Sequence, residues 1–120
     1  MKKAPFYKSV GYAWDGIFAC LKKERNMKIH LLMMLAVIIC GFIFCLSIME
    51  WIVCVLLFGF VISLEILNTA IEAIVDMISP EYHPLAKLAK DAAAGAVLVS
   101  ALMAAIIGLM IFIPKLLGVF

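Results

Sequence analysis

The sequence predicts an all-α integral membrane protein: an amphipathic N-terminal surface helix followed by three membrane-spanning helices packed as a bundle. Three observations predict it. The 120 residues are 68% hydrophobic, with a mean hydropathy of +1.20, whereas a soluble domain is nearer half apolar. The apolar residues gather in three runs, 29–47, 51–64 continuing into an acidic segment, and 92–113. The first and third reach the ~20 residues that cross a bilayer core, and the second does so once the acidic segment is included.

Residues 1–28 form the first element. Phe6, Val10, Trp14, Ile17, Phe18 and Leu21 recur at three- and four-residue steps, with Lys8, Asp15, Lys22 and Lys23 mostly elsewhere around the helix. An interfacial helix carries this pattern, its lysines near anionic head groups. The mixed polar sequence before the first run is not that of a cleavable signal peptide. The spans follow at 29–48, 51–78 and 86–113, with a turn at 79–85 where Pro80 and Pro84 break the helix. Residues 1–120 are thus one membrane domain. Cys40, Cys45 and Cys54 fall in spans and Cys20 on the surface helix, so the cysteines are read as packing residues.

Basic residues set the topology. Lys2, Lys3, Lys8, Lys22, Lys23, Arg25 and Lys28 precede the first span, Lys87 and Lys90 follow the second, and Lys115 alone follows the third. The excess of positive charge marks the cytoplasmic side. The N-terminus and the 79–85 turn are therefore expected inside, and the C-terminus outside. Trp51 suits the outer interface, and Pro114 is expected to end the last helix near the same level.

Within the second span, Glu65, Asn68, Thr69, Glu72 and Asp76 share one helix face about 100° wide. Counted from Trp51, Glu65 lies about 21 Å down the helix and Glu72 about 31 Å. The stripe therefore climbs from the inner leaflet to cytosolic water. Ionisable residues in a span are costly and point to function. Lys87, Lys90 and Asp91 share a face at the same level on the third helix. Ala92, Ala96, Ser100, Ala104 and Gly108 repeat every four residues, a spacing that lets helices approach closely. A three-helix bundle is thin, so an oligomer is expected to shield the polar groups.

Carboxylates for a hard cation, a lysine for phosphate oxygens and a spare carboxylate as base suit phosphoryl transfer. Proton or ion translocation and structural pairing stay open on the residues alone. No phosphate-binding glycine loop and no kinase catalytic loop is present, and no nucleic-acid partner is expected. His30, at the start of a span, is read as an interfacial anchor or hydrogen-bonding residue, and His83 as a turn residue. Glu24 is read as ending the surface helix among Lys22, Lys23 and Arg25, within a solvated charge run.

The run Glu65-Ile66-Leu67-Asn68-Thr69-Ala70-Ile71-Glu72-Ala73-Ile74-Val75-Asp76 changes that balance. With Ala86-Lys87-Leu88-Ala89-Lys90-Asp91 and Ala94-Gly95-Ala96-Val97-Leu98 downstream, the chain resembles the prokaryotic diacylglycerol kinase family over nearly its whole length. Lys23-Glu24-Arg25-Asn26, Ile29-His30, Glu50-Trp51 and Ile111-Phe112-Ile113-Pro114-Lys115 make it most similar to the undecaprenol kinase branch of Gram-positive bacteria. The resemblance implies a homotrimeric lipid kinase of the bacterial cell membrane that uses ATP with Mg2+ and shares its sites between protomers. It implies Glu65 as the general base, Glu24 and Glu72 as magnesium ligands, and Asn68 as an orienting group. Lys90 would contact the phosphates, Asp76 and Asp91 would bind nucleotide, and Tyr12 would lie near the adenine. The acceptor it implies is undecaprenol, with diacylglycerol as the alternative. Where many relatives carry a basic residue near the start, Pro5 stands instead, with Lys3 and Lys8 nearby.

Overall fold

The computed structural model describes residues 4–118, which form four helices: α1 Phe6–Lys23, α2 Arg25–Ile43, α3 Ile48–Ile78 and α4 Pro84–Leu116. Lys2 and Lys3 of the basic segment lie outside the described residues. Helices α2, α3 and α4 are long and apolar enough to cross a membrane. α3 and α4 pack along one another most extensively, and α2 lies against α3.

The α1–α2 junction is a single residue. Glu24 leaves the helical region at φ −100° and ψ 119°, while its N–H still donates to the Cys20 carbonyl at 2.9 Å. Lys22 and Lys23 in the last turn of α1 suit the negative end of its dipole. Helix α2 therefore starts at Arg25, four residues before the apolar run, and stops at Ile43 rather than continuing to 48. Along α1 only Cys20 is buried, and Phe6, Trp14 and Phe18 are exposed. Trp14 and Phe18 stack with ring centroids 5.9 Å apart.

The α2–α3 turn is tightly specified. Leu46 N–H donates to the Gly41 carbonyl at 3.0 Å across Cys45, whose φ of 53° is left-handed. This six-to-one closure is a helix C-terminal motif that usually places glycine where Cys45 stands. Cys45 thus lies exposed in the turn, not in a span as its place in an apolar run suggested. Ser47 then caps α3. Its hydroxyl accepts from Glu50 N–H at 3.2 Å, and the Glu50 carboxylate accepts from Ser47 N–H at 2.9 Å, satisfying two end donors reciprocally.

Helix α4 begins at Pro84, whose missing N–H costs nothing at a first helical position. His83 caps it, with Nδ1 accepting from Leu85 N–H at 3.1 Å. At its other end the helix runs through Pro114 to Leu116, contrary to the expected stop. Proline removes its own donor and crowds the preceding turn, yet Leu117 N–H still reaches the Ile113 carbonyl at 3.0 Å.

Ion pairs mark both ends of the α3–α4 pair. Lys115 meets Glu50 at 3.1 Å, and Lys90 meets Asp76. The two pairs lie about seven turns apart on both helices, so they share one antiparallel register. Between them α4 turns Ala93, Val97 and Ser100 inward. Ala92 and Ala96 stay exposed, because a strict four-residue repeat drifts about 40° around the helix at each step.

Candidate functional site

The buried face of α3 is polar where α2 and α4 meet it. Glu65, Asn68 and Thr69 are all buried, and Glu65 is only 1% exposed. Thr69 turns its hydroxyl back to donate to the Glu65 carbonyl at 3.2 Å. Asn68 donates from Nδ2 to Glu72 Oε1 at 2.9 Å, which ties the half-buried Glu72 to the same face. Both carboxylate oxygens of Glu65 and Asn68 Oδ1 are buried without a hydrogen-bond partner among the described residues. Such atoms are costly and mark a place where a further partner belongs.

That partner has space. A cavity of about 270 Å³ adjoins Glu65 and Asn68. Its α2 wall is Asn26, Ile29 and His30, and its α4 wall is Ala94, Val97, Leu98 and Ala101. Both walls follow helical three- and four-residue steps. The cavity is mostly apolar with four polar groups at one side, a form that suits an apolar molecule presenting one polar end.

Glu24 and Glu72 both lie near enough to Glu65 for their charges to act on it, and Glu72 acts likewise on Lys90. The α1–α2 break thus brings Glu24 to the stripe. Two carboxylates with open coordination suit a magnesium ion, which completes its shell with waters and phosphate oxygens. No group of three His, Cys, Asp or Glu side chains with metal-binding geometry occurs among the described residues.

The remaining residues singled out in the sequence sit at the polar end. Asp76 pairs with Lys90, and Lys87 pairs with Asp91 at 2.5 Å. All four are well exposed there. Tyr12 is exposed on α1, apart from the cavity. His30, read from the sequence as an interfacial anchor or hydrogen-bonding residue, is the side chain that the sequence did not place beside Glu65. Its Nε2 stands 3.5 Å from Glu65 Oε2, and its side chain is 17% exposed. A signal was available: a short turn joins α2 and α3 as a hairpin, which brings together residues at comparable distances from it. Along their helices these are about 20 Å for His30 and about 26 Å for Glu65.

Comparison with known proteins follows this geometry. The family model for prokaryotic diacylglycerol kinase matches residues 11–112. An undecaprenol kinase of Bacillus subtilis is 55% identical over 111 residues, covering 92% of this chain and 90% of that protein. A diacylglycerol kinase of Synechocystis is 41% identical over 92% of this chain, which spans 63% of that longer relative. A diacylglycerol kinase of Escherichia coli is 39% identical over 103 residues, 82% of this chain and 81% of the relative. The chain is a multi-pass membrane protein that belongs to the prokaryotic diacylglycerol kinase family.

Proposed function

We propose that this protein is an ATP-dependent lipid kinase that transfers the γ-phosphate of MgATP to the hydroxyl of undecaprenol, giving undecaprenyl phosphate. The observation that carries the reading is Glu65, a buried carboxylate with unpartnered oxygens beside a largely apolar cavity, in a chain of this family. The undecaprenol acceptor is favoured by the 55% identity to the Bacillus subtilis enzyme. Diacylglycerol is the second acceptor, because relatives at 41% and 39% identity are named for it.

In this reading the lipid enters the cavity from the membrane and ATP reaches the Lys90 end from the cytosol. Glu65 accepts the hydroxyl proton as the oxygen attacks the γ-phosphorus and the bond to the β–γ bridging oxygen breaks, with ADP leaving. Asn68 orients the reacting groups while holding Glu72. Magnesium, held by Glu24 and Glu72, would neutralise phosphate charge. Lys90 contacts phosphate oxygens, and Asp76 and Asp91 serve the nucleotide side, with Tyr12 near the adenine. The Lys90–Asp76 and Lys87–Asp91 pairs must part for this. Exposed ion pairs cost little to break. The transition state of phosphoryl transfer is loose, so positioning and charge neutralisation supply most of the rate.

The membrane arrangement belongs to the same proposal. Residues 1–120 act as one domain, with α1 lying on the inner leaflet by its exposed aromatic face. The N-terminus is cytoplasmic and the C-terminus outside, in the cell membrane of a bacterium. Three such chains form a homotrimer with sites shared between protomers, which covers apolar and polar faces that one thin bundle leaves open. The test is an assay of purified protein in micelles with γ-labelled ATP, undecaprenol and diacylglycerol being compared by kcat/KM. Label in undecaprenol with a higher kcat/KM supports the proposal. A higher value for diacylglycerol moves the acceptor, and no labelled lipid of either kind refutes the kinase reading.

A further inference from the structure

We infer that His30 is a positioning residue for Glu65: it donates Nε2–H to Oε2 and so presents the other carboxylate oxygen to the acceptor hydroxyl. The inference rests on the reading of Glu65 as the base and deepens it.

Geometry carries the assignment. Glu65 is almost wholly enclosed, and its two oxygens have no hydrogen-bond donor in place. His30 is the one basic side chain within ion-pair distance of it among the described residues, at 3.5 Å. That separation exceeds a tight hydrogen bond. A closure of about half an ångström would make one, as happens when catalytic contacts tighten around bound substrate. Both residues line the same cavity, His30 from α2 and Glu65 from α3. The donor thus comes from a different helix from the base, and its position depends on the α2–α3 packing.

Chemistry explains why the site needs it. A carboxylate with two free oxygens can rotate and present either oxygen in many directions. A donor fixed on one oxygen leaves the other as the proton acceptor and fixes its direction, which is how orientation lowers a barrier. Thr69 cannot do this, since its hydroxyl is committed to the Glu65 carbonyl. Asn68 gives one amide N–H to Glu72 and makes no hydrogen bond to either Glu65 oxygen among the described residues. His30 has no such commitment among the described residues.

The experiment is a mutant cycle in micelles, with His30→Ala, His30→Gln, Glu65→Gln and the double variant His30→Ala/Glu65→Gln. Label transfer to undecaprenol and thermal stability are measured for each. The expected result is a fall in kcat of about tenfold or more for His30→Ala, with KM for MgATP unchanged. His30→Gln, which keeps an N–H donor, recovers most of that loss. The double variant is expected to be no slower than Glu65→Gln alone, because a positioning group has nothing left to position. Full activity in His30→Ala overturns the inference, and so do multiplicative losses in the double variant. A His30→Ala protein that fails to fold leaves the decision to His30→Gln. A folded His30→Gln enzyme with activity above Glu65→Gln supports the inference, and one as slow as Glu65→Gln overturns it. Failure of wild-type protein to label any lipid instead refutes the kinase reading.

Discussion

The α2–α3 turn and the middle of the α3 face are built on opposite terms. At the α2–α3 turn every polar group named above has a partner. Ser47 and Glu50 cap each other, Lys115 binds Glu50, and Leu46 closes on Gly41. Around Glu65, three buried polar atoms have none, and a cavity lies open beside them. Unmet polar groups cost stability and persist where a site uses them. The turn holds the helices in register, and the α3 face carries the open polar atoms beside the cavity.

Changes in the two regions should therefore break different things. In the site, Glu72→Gln is expected to raise the half-saturating magnesium concentration about tenfold or more. An unchanged metal titration of kinase activity would remove Glu72 from the metal site. At the turn, a Cβ on Gly41 would stand 2.5 Å from Trp51 Cη2 and 2.8 Å from Cζ2. Gly41→Ala should thus lower stability by about 1–3 kcal/mol, the usual range for overpacking. Thermal unfolding in micelles checks it, and an unchanged Tm would show that the Trp51 ring yields freely.

Smaller effects sharpen the same contrast. A double-mutant cycle on Glu50→Gln and Lys115→Met should give a coupling under about 1 kcal/mol, as for a partly exposed pair. It should leave kcat unchanged. A coupling several times larger would make this pair a main source of bundle stability. Smallest of all, Cys45→Gly should raise stability by about 0.5 kcal/mol, because glycine carries no penalty at left-handed φ. A loss of stability would mean that the Cys45 side chain contributes more than its backbone costs.

How much of this was legible in the sequence follows the same division. The three long helices could be read from their apolar runs, and the α3 face from the spacing of Glu65, Asn68 and Thr69, because both depend on local periodicity. The end of the surface helix at Glu24 could be read as well, but not the restart of α2 directly at Arg25, since no proline or glycine marks the junction and its neighbours read as a solvated charge run. The contact of His30 with Glu65 depends on how two helices cross, which no spacing within one helix reports. Pro114 misled for a related reason: a proline disturbs the turn before it and permits the turn after it. The four-residue repeat of small side chains from Ala92 to Gly108 looked like one face, but helical drift divides it. The roles proposed for Glu24, Tyr12, Asp76, Lys90 and Asp91 toward magnesium and nucleotide turn on ligands and, in the proposed trimer, on neighbouring protomers. A single chain does not contain them.

The central claim is that Glu65 is kept buried and unpartnered for catalysis at a cost to stability. It is tested most directly by measuring kcat and Tm together for Glu65→Gln in micelles. The account predicts turnover lower by at least about a hundredfold, with MgATP binding retained and Tm equal to or above wild type, because a buried charge has been removed. Turnover near wild type would contradict it, as would a loss of turnover accompanied by a fall in Tm.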